Sequence, residues 1–237
     1  MPPPCCTDPS TPSPLHDPVG IVTQYATADL IGRIAYEGHD PGDDPAWKTT
    51  GAPSQSLYAR WCRHMCGMAC LRMVLLHQKG YSLNLFSLLA GARHYGAYVR
   101  TGTDIKGLFY APFVDYVEQT HGVPAAVHGH LDLDGLLALL DTGHMVMASV
   151  SKEIRRPEAD PERKGGHLVL AIGHQDGKIH FRNPSGHTPE SLTAALSPDR
   201  FAAFFGGRGI SLDPRRSVRR RAAPATAVRP VASRPSA

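Results

Sequence analysis

From Cys66 to Leu76 the chain reads Cys-Gly-Met-Ala-Cys-Leu-Arg-Met-Val-Leu-Leu, with Arg72 its only charged residue. So little polar surface predicts a helix buried on nearly all sides, and every other element has to be arranged around it. Its first residue is a thiol. The free N–H groups of a first helical turn favour an anion there. A helix N-terminus or a neighbouring imidazolium lowers a cysteine from about 8.5 to roughly 3.5–7.5. Gly67 lets another group approach the backbone closely at that turn. Taken alone, Cys66 reads as a small core hydrophobe, since buried cysteines are common. A nucleophile also needs a base, and the base an orienting group.

Both are offered downstream. Gly165-Gly166-His167 leads the apolar run Leu168 to Ile172, and a second run, Ile179 to Arg182, ends at Asn183-Pro184-Ser185-Gly186. The intervening Asp176-Gly177 is a turn signal, so the two runs predict a β-hairpin. Two registers are open. A loop over 173–177 makes His167 and Asn183 direct cross-strand partners, with Cβ atoms about 4.5–5.5 Å apart. A tight turn on Asp176-Gly177 shifts the pairing by an odd count and sends them to opposite faces, unless a bulge repairs it. Separately, His167 reads as a satisfied strand histidine and 183–186 as an ordinary turn. Jointly with Cys66 they read as a Cys-His-Asn triad: Cys66 the nucleophile, His167 the base, Asn183 holding the imidazole.

The segment Cys66 to Leu76 resembles the nucleophile helix of the C39-like peptidases, the papain-fold family that includes the leader-removing domains of bacteriocin exporters. The likeness continues through Asp134 to Gly143, Met145 to Val150, Gly166-His167 and Asn183-Pro184, covering roughly residues 55–212. It implies an α+β, papain-like fold, with an N-terminal helical half carrying the nucleophile helix packed on a C-terminal antiparallel sheet. It also implies hydrolysis of a peptide bond, in a leader or precursor peptide, through an acyl-enzyme. Two positions depart from the family. Asn183 stands where members usually carry Asp, a mild change because Asn orients the histidine in papain-like enzymes. Arg60 stands about six residues before the thiol, where a Gln normally donates to the oxyanion; losing one such donor costs about 10²- to 10³-fold in rate. Gln55 or the Arg60 guanidinium is the substitute to look for, beside the Cys66 N–H, with Gly67 and Gly166 shaping the substrate site. Two alternatives stay open: a catalytically weak or inactive peptide-binding module, and an acyltransferase or amidase using the same triad.

The whole chain fits one folded unit with loose ends. Its 237 residues are 42% apolar, enough for a good core. No apolar stretch approaches the roughly 20 residues of a membrane span, and the start lacks the pattern of a signal peptide. Five cysteines suit reduced thiols better than a disulfide framework, so the expected location is cytoplasmic. Residues 1–18 are rich in Pro, Ser and Thr, and 213–237 is a basic Pro, Ala and Arg tail; both are expected to be disordered, bracketing a peptidase-like domain over 19–212. The tail carries more than the net charge of +4. It could meet an anionic partner, although the absence of interleaved aromatics argues against nucleic acid. The expected partner is a peptide or protein substrate. Cys62, Cys66 and Cys70 recur at helical spacing, but common zinc sites do not use that spacing, so neither metal nor cofactor is expected. Between the ends, helices are expected from Ser82, Pro112, Asp132 and Pro198, and strands at 146–150, 168–172, 179–183 and 209–212. The charged segment 151–164 is too polar for core and is expected at the rim of the cleft.

Overall fold

The computed structural model describes residues 15–16, 19–158 and 160–213. Most of both expected disordered ends lies outside the described residues. The packed structure begins earlier than residue 19, however. The His16 backbone N–H donates to the Ile172 carbonyl and its Nε2 lies 2.8 Å from the Gly143 carbonyl oxygen.

Helices come first: α1 (Ile31–Tyr36), α2 (Gln55–Trp61), α3 (Cys66–Lys79) and α4 (Leu85–His94). A short hairpin of β1 (Tyr98–Thr101) and β2 (Asp104–Gly107) precedes α5 (Tyr110–Tyr116), which runs into one wide turn ending at Gly122. Then follow β3 (Ala125–His128), α6 (Leu133–Asp141), β4 (Met145–Ser151), β5 (Gly166–Gln175), β6 (Lys178–Arg182), α7 (Pro189–Leu192), β7 (Thr193–Leu196), α8 (Pro198–Phe204) and β8 (Phe205–Leu212). The six later strands form one sheet in the order β3-β8-β4-β5-β6-β7, with every neighbouring pair antiparallel. The α+β expectation holds, with two more strands in the main sheet than the sequence suggested. Strands β3 and β7 are its short edges, partly exposed and only weakly apolar, so alternation alone does not mark them.

Strand β4 is buried along its whole length, and its alternation splits the core in two. Met145 and Met147 face the helical half, with Leu168, Leu170 and Ile172 of β5 beside them. Val146, Ala148 and Val150 face the other way, into a second core with Leu136 and Leu140 of α6 and Phe201 and Phe204 of α8. The sheet is thus covered on both faces. Helix α3 is the centre of the first core: Gly67 to Leu71 and Met73 to Leu75 are all buried, as its composition predicts. A Cβ on Gly67 would lie 2.9 Å from Leu108 Cδ2 and 3.5 Å from Leu168 Cδ1, so glycine is what lets helix, sheet and the segment after β2 meet there.

The β5–β6 hairpin resolves the register question in a way that uses both halves of the second alternative. The turn is tight: Gln175 pairs with Lys178, and Asp176 and Gly177 both have positive φ, 52° and 67°. Beyond the third pair from the turn the ladder slips, because Gly173 pairs with His180 while Ala171 pairs with Phe181. Ile172 is therefore a bulge, and its carbonyl accepts from His16. The extra residue restores the parity that the tight turn removes. His167 and the 183–185 turn end on one side of the sheet.

Candidate active site

Cys66 opens α3 with no side-chain cap on the helix, so its first turn presents bare backbone N–H groups beside the thiol. His167 is the second residue of β5, entered through Gly165 and Gly166 at φ 84° and 94°, backbone that side chains rarely adopt. That explains the Gly-Gly approach: it swings the chain out of the 151–164 segment and into the strand. Asn183 follows β6 directly, its N–H bound to the Leu192 carbonyl and its own carbonyl closing a turn to Gly186.

His167 is 4% exposed, and Asn183 and Ser185 are fully buried. His167 Nε2 lies 2.9 Å from Asn183 Oδ1 and 3.0 Å from Ser185 Oγ. Asn183 Oδ1 also accepts from the Ser185 backbone N–H at 3.1 Å, which fixes it as the amide oxygen. An oxygen that can only accept requires Nε2 to carry the ring proton, so Nδ1 is left as a bare base. Ser185 Oγ in turn accepts from Arg155 Nε at 2.9 Å. The Asn183 Nδ2 group is buried without a partner among the described residues.

Burial controls the charges here. It pushes the Cys66 thiol up, against the opposing pull of the Leu168 and Gly67 backbone N–H groups. It pushes His167 down to about 3, helped by the Arg155 cation and opposed by the bond to Asn183. Burial thus favours the uncharged thiol and the uncharged imidazole over the ion pair.

A cavity of about 370 Å³ holds both Cys66 and His167, with Tyr98, Leu108, Gly166 and Arg208 among its walls. A second cavity, of about 250 Å³, adjoins it at Gly166 and His167 and is walled by Gln24 and by Lys152, Arg155 and Arg156 of the 151–164 segment. The structure thus brings together Cys66, Gly166, His167 and Asn183. Gln55 and Arg60 are not with them. Gln55 is exposed at the start of α2, where its Nε2 donates to the Gly42 carbonyl. Arg60 points to solvent because α2 turns Tyr58 and Trp61 inward, and residue 60 lies on the opposite side. A different glutamine is close. Gln24 is 2% exposed, its Nε2 donates to the Cys62 carbonyl at 2.7 Å, and its backbone N–H donates to the Pro184 carbonyl. It ties the strand of chain before α3 to the turn after Asn183. Nothing in its sequence neighbourhood marks it, and the same holds for Arg155, hidden within a charged run. Ser185 was visible only as part of a turn.

No family model matches the chain, and no curated protein matches it. Fourteen chains of solved structures are similar to it, among them these two. One is the peptidase domain of Streptococcus ComA, a bi-functional ABC transporter involved in a quorum sensing pathway, at 18% identity over 63% of this chain and 91% of that one, with a TM-score of 0.43. The other is a Bacillus anthracis protein described as a C39-like peptidase, at 15% identity over 62% of this chain and 88% of that one, with a TM-score of 0.45.

Proposed function

We propose that this chain is a papain-like cysteine peptidase of the C39-like kind, cutting a peptide bond in a leader or precursor peptide. The observation that carries the reading is the 2.9 Å bond between His167 Nε2 and Asn183 Oδ1, which leaves Nδ1 without the ring proton, on a histidine that lines the same cavity as Cys66. Cys66 Sγ attacks the scissile carbonyl carbon while His167 Nδ1 takes the thiol proton. The C–N bond then breaks, and the same proton passes to the leaving amine, giving a thioester. Water, deprotonated by His167, hydrolyses the thioester and restores the thiol. Asn183 and Ser185 hold the imidazole edge-on throughout. The oxyanion is met by the Cys66 backbone N–H and by the remaining Nε2 proton of Gln24, in place of the glutamine expected at position 60. Cys62, Cys66 and Cys70 are free thiols, which fits a reducing compartment, and we place the protein in the cytosol. No described helix is long and apolar enough to cross a membrane.

The test is digestion of a proteome-derived peptide mixture, with new termini read by mass spectrometry. The wild type is expected to generate termini that Cys66→Ala and His167→Ala do not. Added amines appearing at the new C-termini would make the chain an acyltransferase. One observation favours a peptide-binding module instead: burial drives both Cys66 and His167 toward their neutral, less reactive forms. That reading predicts no new termini, with Cys66→Ala binding peptide as tightly as wild type.

A further inference from the structure

The two cavities meet at Gly166 and His167 and share Arg63 as a common wall. The larger one has no carboxylate on its walls, yet carries Arg63 and Arg208. The smaller has one carboxylate, Glu153, already bound to Arg156 at 2.7 Å. Arg63, Lys152, Arg155 and Arg208 form no ion pair with any described carboxylate. Their positions are built rather than incidental. Arg208 lies in the stretch by which β8 bulges out of its ladder with β4, between the pairs Ala148–Gly209 and Val150–Phe205. Arg155 is pinned to Ser185 through Nε, leaving its terminal nitrogens for another acceptor. The field of this group is felt at the site itself: Arg155 and Lys152 both disfavour the imidazolium of His167, and Lys152 and Arg63 that of His64. Unpaired cations lining a cleft with low-dielectric walls concentrate anions there.

We infer that the cleft selects acidic peptides, with one carboxylate side chain near Arg208 and Arg63 and another, across the scissile bond, near Lys152 and Arg155. The placement of the scissile bond rests on the peptidase reading; the preference for anionic peptide does not. Between these charges the walls are Tyr98, Leu108 and Phe109, which suit a peptide's apolar side chains.

The test uses the full chain carrying Cys66→Ala and three fluorescent decapeptide pools of matched composition, in which fixed positions are Glu and Asp, Gln and Asn, or Lys. Binding is read by anisotropy at low and high salt. The acidic pool is expected to bind on the order of 10-fold tighter than the neutral one, the sum of two exposed ion pairs, and to lose that advantage at high salt. Arg208→Glu and Lys152→Glu are expected to abolish the preference, whereas Lys178→Glu, at the far turn of the β5–β6 hairpin, leaves it in place. Equal binding of the three pools overturns the inference. So does a preference that Lys178→Glu weakens as much as the cleft variants, or equal competition by a short single-stranded oligonucleotide. In parallel, wild type is offered the same pools for cleavage. Acidic binding without cleavage sinks the peptidase reading and leaves this inference standing; cleavage of all pools alike does the reverse.

Discussion

The thiol half and the imidazole half of the cleft are specified by different kinds of information. Cys66 is placed by a contiguous run of sequence: α3 is buried because its own side chains are apolar, and its first residue falls where the run begins. His167 is placed by counting. Its side of the sheet depends on a tight turn at Asp176-Gly177, on one extra residue at Ile172, and on the strands that flank β5. A helix keeps its first residue in place whatever happens at its far end. A strand pairing has parity, and one misplaced residue moves a whole set of side chains to the other face.

This contrast is broken most sharply by changing lengths. Inserting one alanine after Val169 puts His167 out of step with Asn183, and peptide cleavage is expected to fall to the level of Cys66→Ala. Inserting one glycine between Asp176 and Gly177, or one after Lys79 at the end of α3, is expected to leave cleavage within about 10-fold of wild type. Equal loss from all three insertions would mean that register does not set the site.

Replacing Gln24 with Ala tests the bridge between the halves. Loss of one oxyanion donor is expected to lower kcat by about 10²- to 10³-fold, while Gln55→Ala and Arg60→Ala leave it unchanged. A Gln24→Ala enzyme whose melting temperature falls but whose kcat does not would make Gln24 structural only.

On the thiol side, Gly67→Val forces a branched side chain against Leu108 and Leu168. It is expected to cost about 1–3 kcal/mol, measured by denaturant unfolding, since overpacking a filled core forces side chains out of their rotamers. Gly166→Ala, where an added Cβ meets nothing within 4 Å, tests backbone strain alone at φ 94° and is expected to cost less.

A further effect is electrostatic. His167 titrates at about 3 when folded, against roughly 6.5 when unfolded. The unfolded chain therefore binds more protons between those values, and stability falls as pH drops through that window. His167→Gln is expected to flatten this dependence. Asn183→Asp acts oppositely: it replaces the unpartnered Nδ2 with a carboxylate oxygen, raises the imidazole's proton affinity, and shifts the acid limb of cleavage upward. An unchanged acid limb would place His167 outside the proton path.

The same division explains what could be read without coordinates. The buried character of α3, the Asp132-capped α6, and strands β4 to β6 follow from composition, caps and alternation. Edge strands β3 and β7 and the β1–β2 hairpin do not, because half-exposed strands of four residues carry little apolar signal. Cys66, His167 and Asn183 could be proposed from their setting, but their side of the sheet could not, since two turns fit the same residues. Arg155, Ser185 and Gln24 reach the site through contacts between segments far apart in the chain, and no local pattern encodes such contacts. Gln55 and Arg60 lie away from the cavity because α2 turns Tyr58 and Trp61 inward and leaves both on its exposed side, which spacing from the thiol does not reveal.

The bulge at Ile172 gives the hairpin a spare codon. A deletion of Ile172 itself lets the ladder close without a bulge, and His167 still arrives beside Ser185 and Asn183 with its neighbours on their own faces. An insertion between His167 and the turn finds no such reserve. Length variation among descendants of this gene should therefore be lopsided here, with strands one residue shorter at the bulge keeping the pair and strands one residue longer losing it.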